Sequence, residues 1–201
     1  VLLRAHQQDV ASRAERIASA LGLPDDLTGA LRVAGEHHDD GKADPRFQVE
    51  RLGLPQNGLR DEGLTAGGEP LAKSLPGQTA RTVLKRQAET GDLPNRWRHE
   101  QRSVVDAWHA VHSVPGIDPE LALRLIGTSH GHGRSGFPHC CAELGGAGDS
   151  AQWVSLAAGL FDVGGWDELI EATQVRYGVW GCAFLEAVLR AADCRVSGEG
   201  R

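Results

Sequence analysis

Five segments of helical periodicity each carry a histidine or an aspartate on the stripe that should be apolar. No other feature of the sequence restricts its fold so tightly. His6 lies three residues after Leu3 and four before Val10, so it shares their face of a helix. His38 follows Leu31 and Ala34 at seven and four residues, and His130 follows Leu123 and Ile126 at the same spacings. Asp193 stands four residues after Leu189 and eight after Leu185, in the most apolar helical segment of the chain. His99 opens a segment whose inward face carries Val104, Trp108 and Val111. A single histidine on such a face is ordinarily a core residue satisfied by a backbone group. A core carboxylate is harder to accommodate, because burying it unpaired costs several kcal/mol and calls for a cation, a set of donors or a proton. Five inward-pointing groups favour one site of convergence, with three to six nitrogen and oxygen ligands suited to one or two transition-metal ions.

The richest of these segments is His37-His38-Asp39-Asp40-Gly41-Lys42, followed by Ala43-Asp44-Pro45-Arg46-Phe47-Gln48. Adjacent His38 and Asp39 can hold one ion through a nitrogen and an oxygen, and the second carboxylate oxygen is free to bridge to another. Gly41 reads as the stop of a helix that starts at Pro24-Asp25-Asp26 and carries Leu27, Leu31 and Ala34. The first helix carries Leu3, Val10, Ala14, Ile17 and Leu21. Residues 53–77 are rich in Gly and Pro and read as a long loop, with a helix at about 78–89 beyond it and another at about 98–113. Asp118-Pro119-Glu120 is a helix start with a capping aspartate and a proline in the first turn; that helix dissolves at 127–133. A Gly-rich loop (136–148) leads to 153–161, and a closing helix runs over about 177–196. The expected fold is all-α, in one domain of 201 residues with the ligand cluster in its core.

Composition narrows the function. At 40% hydrophobic and 24% charged residues the chain reads as globular, and no apolar run is long enough to span a bilayer, so a soluble, cytoplasmic protein is expected. It has no Met and begins at Val1, which reads as a fragment or processed domain with something preceding it. The net charge of −6 argues against strong unaided binding to nucleic acid, although divalent ions can supply positive charge where a phosphate sits. Arg81, Lys85, Arg86, Arg96, Arg98 and Arg102 nevertheless make the stretch around His99 locally basic, a solvated face or a guide for a phosphate backbone. The four cysteines form no C-x-x-C pattern and read as reduced packed residues; a zinc site on His139, Cys140 and Cys141 has the wrong spacing for the usual knuckles. His109 and His112, three apart on a helix, read as a partly exposed polar face.

These residues resemble the HD-superfamily nuclease domain of CRISPR type I helicase–nucleases over nearly the whole chain. HHDDGKADPRFQ (37–48) matches that family's H-D-x-G-K followed by A-x-P-x-F-Q, and Arg98-His99-Glu100 with Ser103 matches its R-H-E segment. SHGHGR (129–134) and LEAVLRAADCRVS (185–197) resemble its later motifs. YGVWG (177–181), Leu71-Ala72-Lys73-Ser74 and GFP (136–138) are similar to the I-G (formerly I-U) branch. Two positions depart from the pattern. Ser129 stands where the family commonly has a first of two adjacent histidines, which makes His132 the candidate substitute ligand, and Asp40 replaces an apolar or aromatic residue.

The resemblance implies metal-dependent cleavage of single-stranded DNA, with His6, His38, Asp39 and Asp193 around a first ion and His99, His130 and the shared Asp39 around a second. It implies catalytic roles for Asp39 and for Lys42 as a point charge, with Arg98 and Arg134 contacting nucleic acid. Histidine-rich ligation favours manganese, iron, cobalt or nickel over magnesium. The implied partners are a helicase in the same polypeptide or complex and the CRISPR RNA-guided interference complex, with no membrane. Two rivals are a phosphohydrolase of nucleotides or cyclic dinucleotides on the same scaffold, and a non-catalytic docking domain that keeps one structural metal.

Overall fold

The computed structural model describes residues 1–54, 69–74 and 91–199. Helix α1 (Leu3–Ala20) is followed by α2 (Asp25–His37), a single 3₁₀ turn (Asp40–Ala43) and the short α3 (Pro45–Glu50). Then come α4 (His99–His112), α5 (Pro119–Thr128), α6 (Cys141–Leu144), α7 (Ala151–Phe161) and α8 (Gly165–Glu199). The described residues are helical and contain no strand, only isolated bridges such as Leu2 with Leu71, so the fold is all-α as expected. No described helix is long and apolar enough to cross a membrane.

Helix starts follow the chemistry of the sequence. Asp118 accepts from the N–H groups of Glu120 and Leu121, Ser150 accepts from Trp153, and Asp44 accepts from Arg46, so three otherwise unpaired helix N-termini are capped by side chains. α1 packs along α2 and against α8, while α5 lies between α2, α4 and α8. α1 and α2 approach so closely that a Cβ on Gly35 would fall 2.6 Å from Ala11 Cα. Leu31, Val104, Val111, Leu123, Ile126 and Leu189 fill the centre, and all are essentially inaccessible. Burial of such side chains at about 1.5–3 kcal/mol each is the main source of stability.

Three boundaries differ from the sequence reading. α2 ends at His37 rather than at Gly41, because the chain tightens into the 3₁₀ turn at Asp40. α5 persists through Thr128. The closing helix read at 177–196 is preceded by a further helical stretch from Gly165, with Asp167 and Glu168 in its first turn, and the two meet at Gly178, where the backbone is not helical (φ 72°, ψ 160°). At that break Tyr177 donates a 2.8 Å hydrogen bond to the Asp118 carboxylate, and Trp180 is exposed. Of the long loop read at 53–77, the described part is non-helical; the remainder, the helix read at 78–89, and Arg81, Lys85 and Arg86 lie outside the described residues.

Candidate metal centre

Asp39 is the hub. It follows α2 directly, fully buried, with φ −113° and ψ 8°, a bridge conformation typical of residues set by their surroundings. Its Oδ2 lies 3.4 Å from His38 Nε2, 3.7 Å from His6 Nε2 and 2.6 Å from Lys42 Nζ. Its Oδ1 lies 3.2 Å from His99 Nε2 and 3.8 Å from His130 Nε2. Asp193 reaches His6 Nε2 at 3.3 Å from the closing helix. The five segments therefore do converge: α1, α2, α4, α5 and α8 each deliver one side chain to the same carboxylate or its immediate neighbour.

Two groups have the spacing needed to hold an ion, His6–His38–Asp39 and Asp39–His99–His130, with the ligand atoms of each within 4.8 Å of one another. The donor set fits a divalent transition metal. His38 Nε2, Asp39 Oδ1, His99 Nε2 and His130 Nε2 are buried polar atoms without hydrogen-bond partners among the described residues. Four such atoms facing one another would be costly unless a cation engaged them. Second contacts orient the rings. His38 Nδ1 donates to the Gly35 carbonyl at 2.9 Å, and His99 Nδ1 faces Glu100 Oε2 at 3.3 Å, which leaves each Nε2 lone pair for a metal. Burial pushes the His38 imidazole below its ordinary pKa. Burial would also raise the Asp39 carboxyl, but the charges of His38 and Lys42 and the contacts of His130 and His99 outweigh it and hold that carboxyl well below the usual range. A neutral imidazole and an ionised carboxylate are the forms a metal requires.

His130 is the exception. Its Nδ1 accepts a 2.6 Å hydrogen bond from Arg190, whose second contact is the Ser129 carbonyl at 3.4 Å. A guanidinium can only donate, so the neutral ring carries its proton on Nε2, the atom facing Asp39. Ligation through that atom requires the Arg190 contact to open.

The residues after Asp39 build the scaffold. Gly41 donates its N–H to Ser103 Oγ at 2.8 Å, and Ser103 donates in turn to the His99 carbonyl at 2.9 Å. A Cβ on Gly41 would lie 2.2 Å from that same carbonyl oxygen. Gly41 is thus a close-approach residue, and its turn is clipped onto the helix that carries His99. Arg46 bonds to Asp44 and to the carbonyls of Leu144 and Gly145, and the Phe47 ring packs against His99 with centroids 5.5 Å apart. Gln48, fully buried, donates to the carbonyls of Lys42 and Leu71 and accepts from Leu71 N–H. Asp40 accepts from Gln7 at 2.6 Å and from His37 at 2.7 Å, tying α1 to the end of α2.

Other expected residues fall elsewhere. His132, the candidate substitute ligand, is exposed and belongs to neither ligand group found among the described residues. Arg134 is half-exposed and pairs with Glu186 at 2.6 Å, the carboxylate that also pairs with buried Arg124. Arg98 is half-exposed, with Glu100 as its nearest ion partner at 4.0 Å. His139, Cys140 and Cys141 join neither ligand group, and the four cysteines are free. His109 meets Gln152 and His112 meets the Trp108 carbonyl, both exposed. Periodicity missed Glu100, Ser103, Gln48 and Arg190, whose roles depend on long-range neighbours. No family model, no curated protein and no solved structure matches the chain.

Proposed function

We propose that this chain is an HD-superfamily nuclease domain: a phosphodiesterase that uses one or two divalent transition-metal ions to cleave single-stranded DNA. One observation carries the chemical part of this reading, a single buried carboxylate shared between two histidine groups. Ions bound there supply Lewis acidity toward a phosphoryl oxygen and lower the pKa of a coordinated water. His6, His38 and Asp39, with Asp193 behind His6, would hold one ion; Asp39, His99 and His130 would hold the other. Asp39 presents its two oxygens to the two groups and keeps its negative charge. Lys42 brings a fixed positive charge to the same carboxylate and, being partly exposed, can meet a substrate phosphate. His38 and Asp39 are fully buried and His6 nearly so, which strengthens each of these charges.

The cellular part of the reading, a helicase that delivers the strand and a role in CRISPR RNA-guided interference, is supported by the residues at 37–48, 98–103, 129–134 and 185–197 alone. The test is hydrolysis of circular single-stranded DNA with a panel of divalent ions. We expect nicking with manganese, cobalt, nickel or ferrous iron and little with magnesium. Asp39→Ala should abolish nicking while the far-ultraviolet circular dichroism stays helical. Turnover of mononucleotides or cyclic dinucleotides without any DNA cleavage would assign the centre to the phosphohydrolases instead. Metal binding with no hydrolysis of any phosphodiester would leave a docking domain.

A further inference from the structure

A strand cut at Asp39 must also be held beside the cut, and most cations near the centre are already engaged. Lys42 lies on Asp39, Arg46 on Asp44, Arg102 on Asp149, Arg134 on Glu186, and Arg190 on His130. Among the described residues, one cleft includes His6 and another is lined by the segments next to His99 and His130. The one beside His6 is lined by Asp9 and Glu199, and its Arg13 is forked onto Glu199 at 2.6 and 2.9 Å. Arg16 and Lys73 also line it, and its two carboxylates offset much of that positive charge.

The cleft on the other side differs in kind. It encloses about 400 Å³, and Arg96, Arg98, His132 and Ser135 line it together with the backbone of the 131–138 loop. None of its lining residues is a carboxylate. Arg96 and His132 have no hydrogen-bond or ion-pair partner among the described residues, and the Glu100 contact of Arg98 is long. Arg96 also has φ 64°, a left-handed backbone that costs a non-glycine residue about 1–2 kcal/mol. That angle belongs to the third position of a turn closed by the Trp97 N–H on the Pro94 carbonyl at 3.1 Å, which leaves the Arg96 side chain exposed. Arg98 immediately precedes His99, and His132 follows His130 by two, so the segments that line the cleft are the ones that carry two members of the second ligand group.

We infer that this cleft is an oligonucleotide subsite: Arg96, Arg98 and His132 hold the phosphate that neighbours the scissile one. The inference rests on reading the centre as a phosphodiesterase, and the test separates the two. Hydrolysis of bis(p-nitrophenyl) phosphate by the wild-type chain with manganese reports the centre, because that substrate has no neighbouring phosphate. Binding of a fluorescein-labelled 15-nucleotide single strand in EDTA, followed by anisotropy across a salt series, reports the cleft. Arg96→Gln and Arg98→Gln should each lower the slope of log affinity against log salt by about 0.7, and together weaken binding about tenfold or more. Arg16→Gln, an equal loss of charge beside the other cleft, should leave affinity and slope as they are. Unchanged DNA affinity in the Arg96→Gln/Arg98→Gln variant, or an equal loss in Arg16→Gln, overturns the subsite even if the small diester is hydrolysed. A wild-type chain that hydrolyses neither the small diester nor DNA overturns the reading of the centre and the subsite with it.

Discussion

Gly41→Ala tests how the central carboxylate is held. In the structure a Cβ at this position would sit 2.2 Å from the His99 carbonyl oxygen and 3.0 Å from Arg102 Cβ. Relieving that contact means moving the turn or the start of α4 by about 1.2 Å, since ordinary contact begins near 3.4 Å. Overpacking of this kind costs about 1–3 kcal/mol. The shift also stretches the 2.8 Å bond from Gly41 N–H to Ser103, and a buried donor left unpaired costs about 1–3 kcal/mol more. The stiffer unfolded chain returns about 0.4–1 kcal/mol. The expected net loss is about 2–4 kcal/mol, read as a drop in ΔG of unfolding from urea melts at pH 7.5 in EDTA. A second readout is local: Asp39 and His99 lie 3.2 Å apart across this junction, so manganese binding by calorimetry should weaken as well. Ser103→Ala, which removes the clip without the clash, should cost about 1–3 kcal/mol. If Gly41 merely terminated a helix, alanine would be nearly neutral. A change under about 0.5 kcal/mol with unaltered manganese binding would refute the close-approach argument.

Other expectations follow from the same contacts. Arg190→Met frees His130 Nδ1, so the weaker of two manganese-binding events should tighten about fivefold in calorimetry, the equivalent of one hydrogen bond near 1 kcal/mol; no change would show that Arg190 does not control the ring. Ser129→His should also strengthen that event, whereas His132→Ala should leave it alone. Burial raises the Asp193 carboxyl, but the His6 hydrogen bond and the charges of His38 and His130 bring it down to about 2, from 3.8. A depressed acid stabilises the fold above its unfolded value and loses that contribution as pH falls through the folded one. In EDTA, wild type should therefore lose about 2 kcal/mol relative to Asp193→Asn between pH 5 and pH 2, and parallel urea-melt profiles would contradict this. Gln48→Ala strips three hydrogen bonds from Lys42 and Leu71 and should cost about 2–4 kcal/mol; a melt within 0.5 kcal/mol of wild type would show the clamp to be dispensable.

How much of this was readable beforehand depends on whether a signal is local. The positions of His6, His38, His130 and Asp193 were legible, because 3.6-residue periodicity alone puts them on buried faces and burial of Asp193 demands a partner. The helix starts at Asp118 and Asp25 were legible because their signals, a capping carboxylate in one and a proline followed by two acids in the other, are neighbours of the helix in sequence. Gly41 was misread because a glycine that ends a helix and a glycine that admits a carbonyl from sixty residues away look alike in sequence. The helical stretch from Gly165 to Tyr177 was not read, although Asp167 and Glu168 carried a first-turn signal. Arg134 and Arg98 looked equivalent as basic residues beside the motifs; only the position of Glu186 separates them.

The centre joins α1 to α8. His6 comes from one and Asp193 from the other, 3.3 Å apart, so an ion shared between them would act as a cross-link closing the loop over residues 6–193. Loop closure of that length removes several kcal/mol of unfolded-chain entropy in principle, and here the closure is reversible and set by the free metal concentration. Metal affinity and global stability are then one equilibrium seen from two sides. Adding an ion should raise the resistance of α1 and α8 to proteolysis together, and chelation should release them together, even though neither helix is near the other in sequence.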